Sequence, residues 1–149
     1  MLMPDFIPAS IDDSAVLLEM MENFYAIDQY PFDRELTAHN IESLLNHPEW
    51  GRIWLVTVEN QIIGYVVLAF GFSFEYKGKD AFIDELYLKS EHRGRGIGAK
   101  VISFVIEEAK NLGVKTLHLE AEKHNHAANH LYRKHDFKDN DRFLLNKTL

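Results

Sequence analysis

Leu86-Tyr87-Leu88-Lys89-Ser90-Glu91-His92-Arg93-Gly94-Arg95-Gly96-Ile97-Gly98-Ala99-Lys100 carries the chain from an apolar run, through a turn with glycine at alternate positions, into a helical stripe. That stripe is Val101, Ile102, Val105, Ile106 and Ala109, spaced for one helix face, and Gly113 supplies its stop signal. Lack of a Cβ at Gly94, Gly96 and Gly98 lets the backbone curl and lets a ligand approach its amides. The helix start adds unpaired N–H groups and a partial positive charge, so strand, turn and helix together build an anion site. Arg93, Arg95 and Lys100 make this turn basic in a chain whose net charge is −7, which points to a bound pyrophosphate. Two other phosphate loops are disfavoured. A nucleoside-triphosphate loop needs Ser or Thr after its lysine, and Val101 follows Lys100. A dinucleotide fingerprint needs Gly-x-Gly-x-x-Gly near the first strand, whereas here the third glycine comes one residue early and the turn lies past mid-chain.

Upstream, Ser10 and Asp13 have capping-box spacing, and Val16, Leu17, Met20, Met21 and Phe24 follow at helical intervals. Leu36, Ile41, Leu44 and Leu45 predict a second helix that His47-Pro48 ends. Ile53–Val58 and Ile62–Phe72 read as strands of an antiparallel hairpin, and Ala81–Leu88 as a further strand. Downstream, Val114–Ala121 predicts a strand, Asn125–Lys134 a helix and Phe137–Leu145 a last strand. The order βααββ followed by βαβαβ predicts an α/β fold, a mixed sheet with helices on both faces.

A chain of 149 residues without repeats or linkers reads as a single domain, 1–149. It has no cysteine, so disulfides, cysteine nucleophiles and thiolate metal sites are excluded, and a reducing cytoplasm fits. Neither a leader nor a membrane-length apolar run is evident, so no membrane partner is expected. The negative charge disfavours nucleic acid as a partner and is a weak pointer to a cationic one.

These segments resemble the GCN5-related N-acetyltransferase (GNAT) superfamily. Its turn motif, Gln/Arg-x-x-Gly-x-Gly/Ala, is matched by Arg93-Gly94-Arg95-Gly96-Ile97-Gly98. A second motif, Asn-x-x-Ala-x-x-x-Tyr-x-x-x-Gly-Phe, is matched by Asn125, Ala128, Tyr132 and Phe137, with Asp136 in place of the glycine. The resemblance implies a single-domain acyl-CoA N-acyltransferase fold with a mostly antiparallel sheet and splayed central strands. It implies acetyl-CoA as cofactor, with Leu86, Tyr87 and Leu88 pairing to its pantetheine arm through main-chain groups. The amides from Gly94 through Arg95, Gly96, Ile97 and Gly98 to Ala99 would hold the pyrophosphate, and Asn125 would touch the cofactor from the next helix. A homodimer is implied as well.

Acetyl transfer to an amine calls for a neutral amine, a stabilised oxyanion and a proton for the departing thiolate. Tyr132 shares a helix face with Asn125 and Ala128 and is the candidate proton donor. Asp84 and Glu85 are the candidate bases, with Asp84 first, and strand alternation lets only one of them face the acceptor. Glu75 is a third carboxylate on the acceptor side. A main-chain N–H of Leu86 or Tyr87 would polarise the thioester carbonyl. Tyr25, Tyr30 and Phe32, with their acidic neighbours, fall between the first two helices, which in this family wall the acceptor site. His126 and His130 stand four apart, but Ala127 replaces the glutamate of a zinc-protease motif and no third ligand is evident, so no metal is expected. The activity so implied is direct acetyl transfer, in a ternary complex, to the primary amine of a small cationic acceptor. A protein or peptide amine, or a non-catalytic acyl-CoA sensor, is the alternative.

Overall fold

A computed structural model describes residues 2–149. Five strands form one sheet in the order β1-β2-β3-β4-β5: β1 (Asp5–Pro8), β2 (Gly51–Val58), β3 (Gln61–Ser73), β4 (Gly78–Leu88) and β5 (Thr116–Leu119). The first four pair antiparallel, and β5 joins β4 in parallel. Helices α1 (Ser14–Ile27) and α2 (Arg34–Asn46) precede β2, α3 (Ile97–Asn111) crosses from β4 to β5, and α4 (His126–Lys134) follows β5.

Alternation along the strands sorts the apolar residues into two cores. Trp54, Val56, Val66 and Leu68 face α3, whose Val101, Ile102 and Val105 are fully buried. Ile53, Leu55, Tyr65 and Val67 face the other way, against Leu17, Met20 and Met21 of α1 and Ile41 of α2. Burying each such aliphatic side chain contributes about 1.5–3 kcal/mol, which is what seats a helix on either face.

Local chemistry sets the ends of the elements. The Ser10 N–H donates to Asp13 Oδ2 at 2.8 Å, as the capping spacing predicts, and a short 3-10 turn there leads into α1. Asp33 Oδ1 accepts the Leu36 N–H at 3.0 Å and starts α2. Gly113, at φ +80°, ends α3 in a Schellman motif: Gly113 N–H bonds Lys110 O at 3.0 Å and Val114 N–H bonds Ala109 O at 2.9 Å.

Phe137–Leu145, expected as a strand, is not one: residues 137–149 form no helix or strand, and Phe143, Leu144 and Leu145 are exposed. Lys138-Asp139-Asn140-Asp141 has poor strand propensity, and the edge it would need, β5, is only four residues long. Arg142 instead forms a bidentate pair with Glu75 on the β3–β4 hairpin, at 2.7 and 2.8 Å.

Candidate active site

The site lies where β4 parts from β5. Their pairing ends at Ile83 and Leu119, yet β4 continues to Leu88, so residues 84–88 have a strand neighbour on one side only. Which main-chain groups are open follows from register. Lys89 N–H donates to Ile63 O of the β3 side at 2.8 Å, so residues 87 and 85 also turn their polar groups toward β3, and Leu86 and Leu88 turn theirs outward. Arg93 Nε already donates to the Leu88 carbonyl at 2.8 Å. Leu86 is left with its N–H and C=O free on the open edge.

A bulge decides where the carboxylates point. Val67 pairs with Glu85 and Leu68 with Ile83, so Asp84 is the unopposed extra residue. Before it, Ala81 and Ile83 face the α3 core; after it, Leu86 and Leu88 do. The parity change turns Asp84 and Glu85 alike toward α1, which corrects the expectation that only one of them faces the acceptor side. Tyr25 of α1 feels both charges. A cavity of about 140 Å³ opens here, lined by Phe82, Ile83, Asp84 and Glu120. Asp84 is exposed, yet the protein crowded around its carboxyl desolvates it in part, and this raises its pKa above the usual aspartate value.

Glu85 differs from its neighbour in being bonded. Its two oxygens accept the hydroxyls of Tyr25 and Tyr65, each at 2.8 Å. Desolvation drives its pKa up, the two phenols pull it back, and the charge of Asp84 opposes its ionisation. Burial followed by the Glu85 charge pushes both tyrosines well above the ordinary phenol range.

Beyond the strand, the glycine turn keeps Gly94 at φ +72° and Gly96, the N-cap of α3, at φ +79°, with nothing within 4 Å of the place a Cβ would occupy at either. The turn is therefore an open cradle of amides. At Gly98 a Cβ would meet Leu131 of α4 at 3.2 Å, so that glycine serves the α3–α4 approach. Ile97 adds its backbone to the cradle while its side chain is buried in the core, and Ala99 lies in the first turn of α3. The basic residues divide. Arg93 is spent on Leu88, with its guanidinium carbon 5.5 Å from the centroid of the Tyr87 ring. Lys100 Nζ donates to the Leu2 carbonyl at 2.9 Å, which removes it from the anion site. Arg95 is exposed, and no hydrogen bond or ion pair engages it among the described residues.

Next to Leu131 on α4 stands Tyr132, packed against the α3-side core. Asp136, at φ +66°, takes the left-handed position after the helix, Asp136 N–H bonds Arg133 O at 3.1 Å and Phe137 N–H bonds Tyr132 O at 3.2 Å. This second Schellman motif brings its usual apolar contact, here Phe137 edge-on to Tyr132 at 6.2 Å. The Tyr-to-Phe spacing noticed in the sequence is thus the geometry of a helix exit that fixes the tyrosine. Burial raises the pKa of Tyr132, and its hydroxyl finds no hydrogen-bond partner among the described residues. Asn125 caps α4, its Oδ1 accepting the Ala128 N–H at 3.2 Å, which leaves only its amide NH₂ for a ligand.

Of the residues expected around the acceptor, Tyr25 and Phe32 meet at 5.3 Å beside Glu85. Tyr30 donates its hydroxyl to Glu122, and His124 sits 3.3 Å from Asp28, so the α1–α2 and β5–α4 loops touch across the cleft mouth. Glu75 is not among them: it lies on the hairpin, where Arg142 holds its carboxyl below the usual glutamate value. Tyr65, Phe82 and Glu120 were not anticipated. A tyrosine inside the apolar run Ile62–Phe72 was the available signal for the first, because a buried phenol needs an acceptor.

A family model described as the acetyltransferase (GNAT) family matches residues 16–137. Thialysine N-epsilon-acetyltransferase of Bos taurus is 36% identical over 72 residues, which make up 48% of this chain and 42% of the relative. The match thus spans less than half the length of that relative. The crystal structure of an integron cassette protein from the mobile metagenome of Cole Harbour Salt Marsh is 31% identical, with a TM-score of 0.86 over 97% of this chain and 90% of the other. A protein from Clostridium acetobutylicum, described as a predicted acetyltransferase with acetyl-CoA, shares the fold at a TM-score of 0.81 and 21% identity, over 97% of this chain and 96% of that one.

Proposed function

Because the chain belongs to the acetyltransferase (GNAT) family, we propose that it transfers an acetyl group from acetyl-CoA to the primary amine of a small acceptor. One observation carries this reading: the open main-chain edge at Leu86 runs between an open turn of amides and a partly desolvated carboxylate.

The residues present fit acetyl-CoA. Open space above Gly94 and Gly96 leaves room for a diphosphate against the turn amides, and Arg95 beside them has no partner among the described residues. Leu86 offers its outward C=O to an amide N–H of an extended arm, as an added strand would use it, and keeps its N–H for the thioester. When bound, acetyl-CoA supplies an activated acetyl group as a thioester and leaves as the thiol.

Asp84 takes the proton that an ammonium must lose before its nitrogen attacks, directly or through one water. Its raised pKa makes it a better base than a free aspartate. The Leu86 N–H, fixed by the β3–β4 register, donates to the negative charge that develops on the carbonyl oxygen. Tyr132 donates its proton to the sulfur as the carbon–sulfur bond breaks. Its raised pKa keeps it protonated at neutral pH, and its unpartnered hydroxyl is free to do so. Acetyl passes directly from sulfur to nitrogen, with both substrates bound. The acidic surroundings, Asp84, Glu85 and Glu120, favour a small cationic amine, and a relative named for acting on thialysine is consistent with that.

Thiol release followed across a panel of small amines, a basic peptide and buffer tests the reading. Turnover with small amines is expected. Coenzyme binding without turnover on any acceptor would make the protein a sensor, and turnover on the peptide alone would move the acceptor to proteins.

A further inference from the structure

Glu85 is hydrogen-bonded at both oxygens, and its partners come from two other elements. Tyr25 lies in the last turns of α1, 60 residues away in sequence, and Tyr65 lies in β3, 20 residues away. Tyr65 has no exposed surface, so its hydroxyl could not be left without an acceptor. No lysine or arginine pairs with Glu85 among the described residues, so the two phenols are its main compensation for burial.

We propose that Glu85, Tyr25 and Tyr65 form a staple that docks α1 on the sheet and fixes the acceptor wall against Asp84, with Glu85 a positioning residue and not the base. The wall follows from the staple through ring contacts. Tyr25 packs edge-on to Phe32 at 5.3 Å and to Phe24 at 6.2 Å, and Phe24 in turn touches Tyr87 at 5.9 Å. The angle of the Tyr25 ring therefore sets where the chain leaving α1 can lie. The bulge sets the rest, since it makes Glu85 the next residue toward α1 after Asp84. Each Glu85 oxygen keeps a second lone pair, but a proton taken there would weaken the phenol bonds that hold the staple, whereas Asp84 accepts no hydrogen bond among the described residues and loses none on protonation. The docking of α1 stands apart from the proposed activity; its effect on the acceptor rests on that activity.

Two measurements on the full-length protein test it. The variants are Tyr25→Phe, Tyr65→Phe, Glu85→Gln, Glu85→Leu and the pair Tyr65→Phe with Glu85→Gln. In steady-state kinetics the Phe and Gln variants are expected to raise the acceptor KM about tenfold, with kcat and the acetyl-CoA KM changed less than about twofold. The acid limb of the pH profile stays in Glu85→Gln. The double variant is no worse than the poorer single one, because the one acceptor oxygen of Gln can turn to Tyr25 once Tyr65 has lost its hydroxyl. Glu85→Leu, which loses both bonds, is worse than Glu85→Gln, which keeps an acceptor oxygen. In hydrogen exchange, the α1 amides are faster in every variant than in the parent, and this readout needs no turnover. Loss of kcat by about a hundredfold together with the acid limb in Glu85→Gln would make Glu85 the base and overturn the assignment. Unchanged α1 exchange and unchanged acceptor KM would overturn the staple. If the parent acetylates nothing, the activity reading falls and the exchange data alone decide the docking.

Discussion

Asp84 and Tyr132, the proposed base and acid, belong to different layers, one on a strand bulge on the α1 side and the other on α4, packed against the α3 core. Their separate origins make their losses separable. Tyr132→Phe keeps the ring against Phe137 and removes only the hydroxyl, so kcat should fall about 10²-fold or more while the acetyl-CoA dissociation constant holds. Calorimetry beside turnover checks this. Asp84→Asn should lower kcat and abolish the acid limb of kcat/KM. Because desolvation raises the Asp84 pKa, that limb in the parent should lie above the range of a free aspartate, activity rising with pH as the carboxyl ionises. A limb unmoved by Asp84→Asn would place the base elsewhere.

At the scale of elements, the proposed coenzyme site of the strand-turn-helix unit is built from backbone, and its basic side chains divide between Arg93, which holds the turn, and Arg95, which is exposed. Gly96→Ala forces a Cβ at φ +79°, a conformation costing about 1–2 kcal/mol for an L-residue, and puts that Cβ into the open space proposed for the diphosphate. It should weaken coenzyme binding more than it lowers the melting temperature. Arg95→Ala and Arg93→Ala should part company. Arg95 is free, so its loss should weaken coenzyme binding with little change in melting temperature; Arg93 ties the turn to Leu88, so its loss should lower the melting temperature as well. Equal effects from the two would contradict that division. The helix exits behave alike despite their different residues: Gly113 and Asp136 both occupy the left-handed position of a Schellman motif, aspartate tolerating what glycine adopts freely.

For the molecule as a whole, the site is a liability to stability. Asp84 and Glu85 both have folded-state pKa values raised above their ordinary values of 3.8 and 4.5, so the native protein binds their protons more tightly than the unfolded chain does. Their contribution is complete below the ordinary values and is lost as pH rises through the raised ones. Urea denaturation of the parent and of Asp84→Asn, compared from pH 4 upward, should show the parent losing stability relative to the variant as pH increases, since the amide has no charge to bury. A parent that gained stability relative to the variant as pH rose would contradict the desolvation of this carboxylate.

Much of the architecture needed only local information. The helical stripe after Lys100, the hairpin strands, the stop at Gly113 and the basic glycine turn are properties of neighbouring residues, because period, glycine freedom and capping act within one or two turns of chain. Asn125 at the start of α4 and Tyr132 with Phe137 at its exit were legible for the same reason, since both helix ends are local structures. What only the tertiary structure decided depends on partners far away in the chain. The bulge at Asp84 exists because β3 and β4 pair out of register there, and it turns both carboxylates to one face. The phenols on Glu85 come from 60 and 20 residues away. Arg93 and Lys100 left the anion site for Leu88 and Leu2, and Glu75 was taken by Arg142. The expected last strand failed for want of a long enough edge to join. Strand competence is a local property, but pairing is a contract between distant segments, and so are the charges that remain free once each ion has found its neighbour.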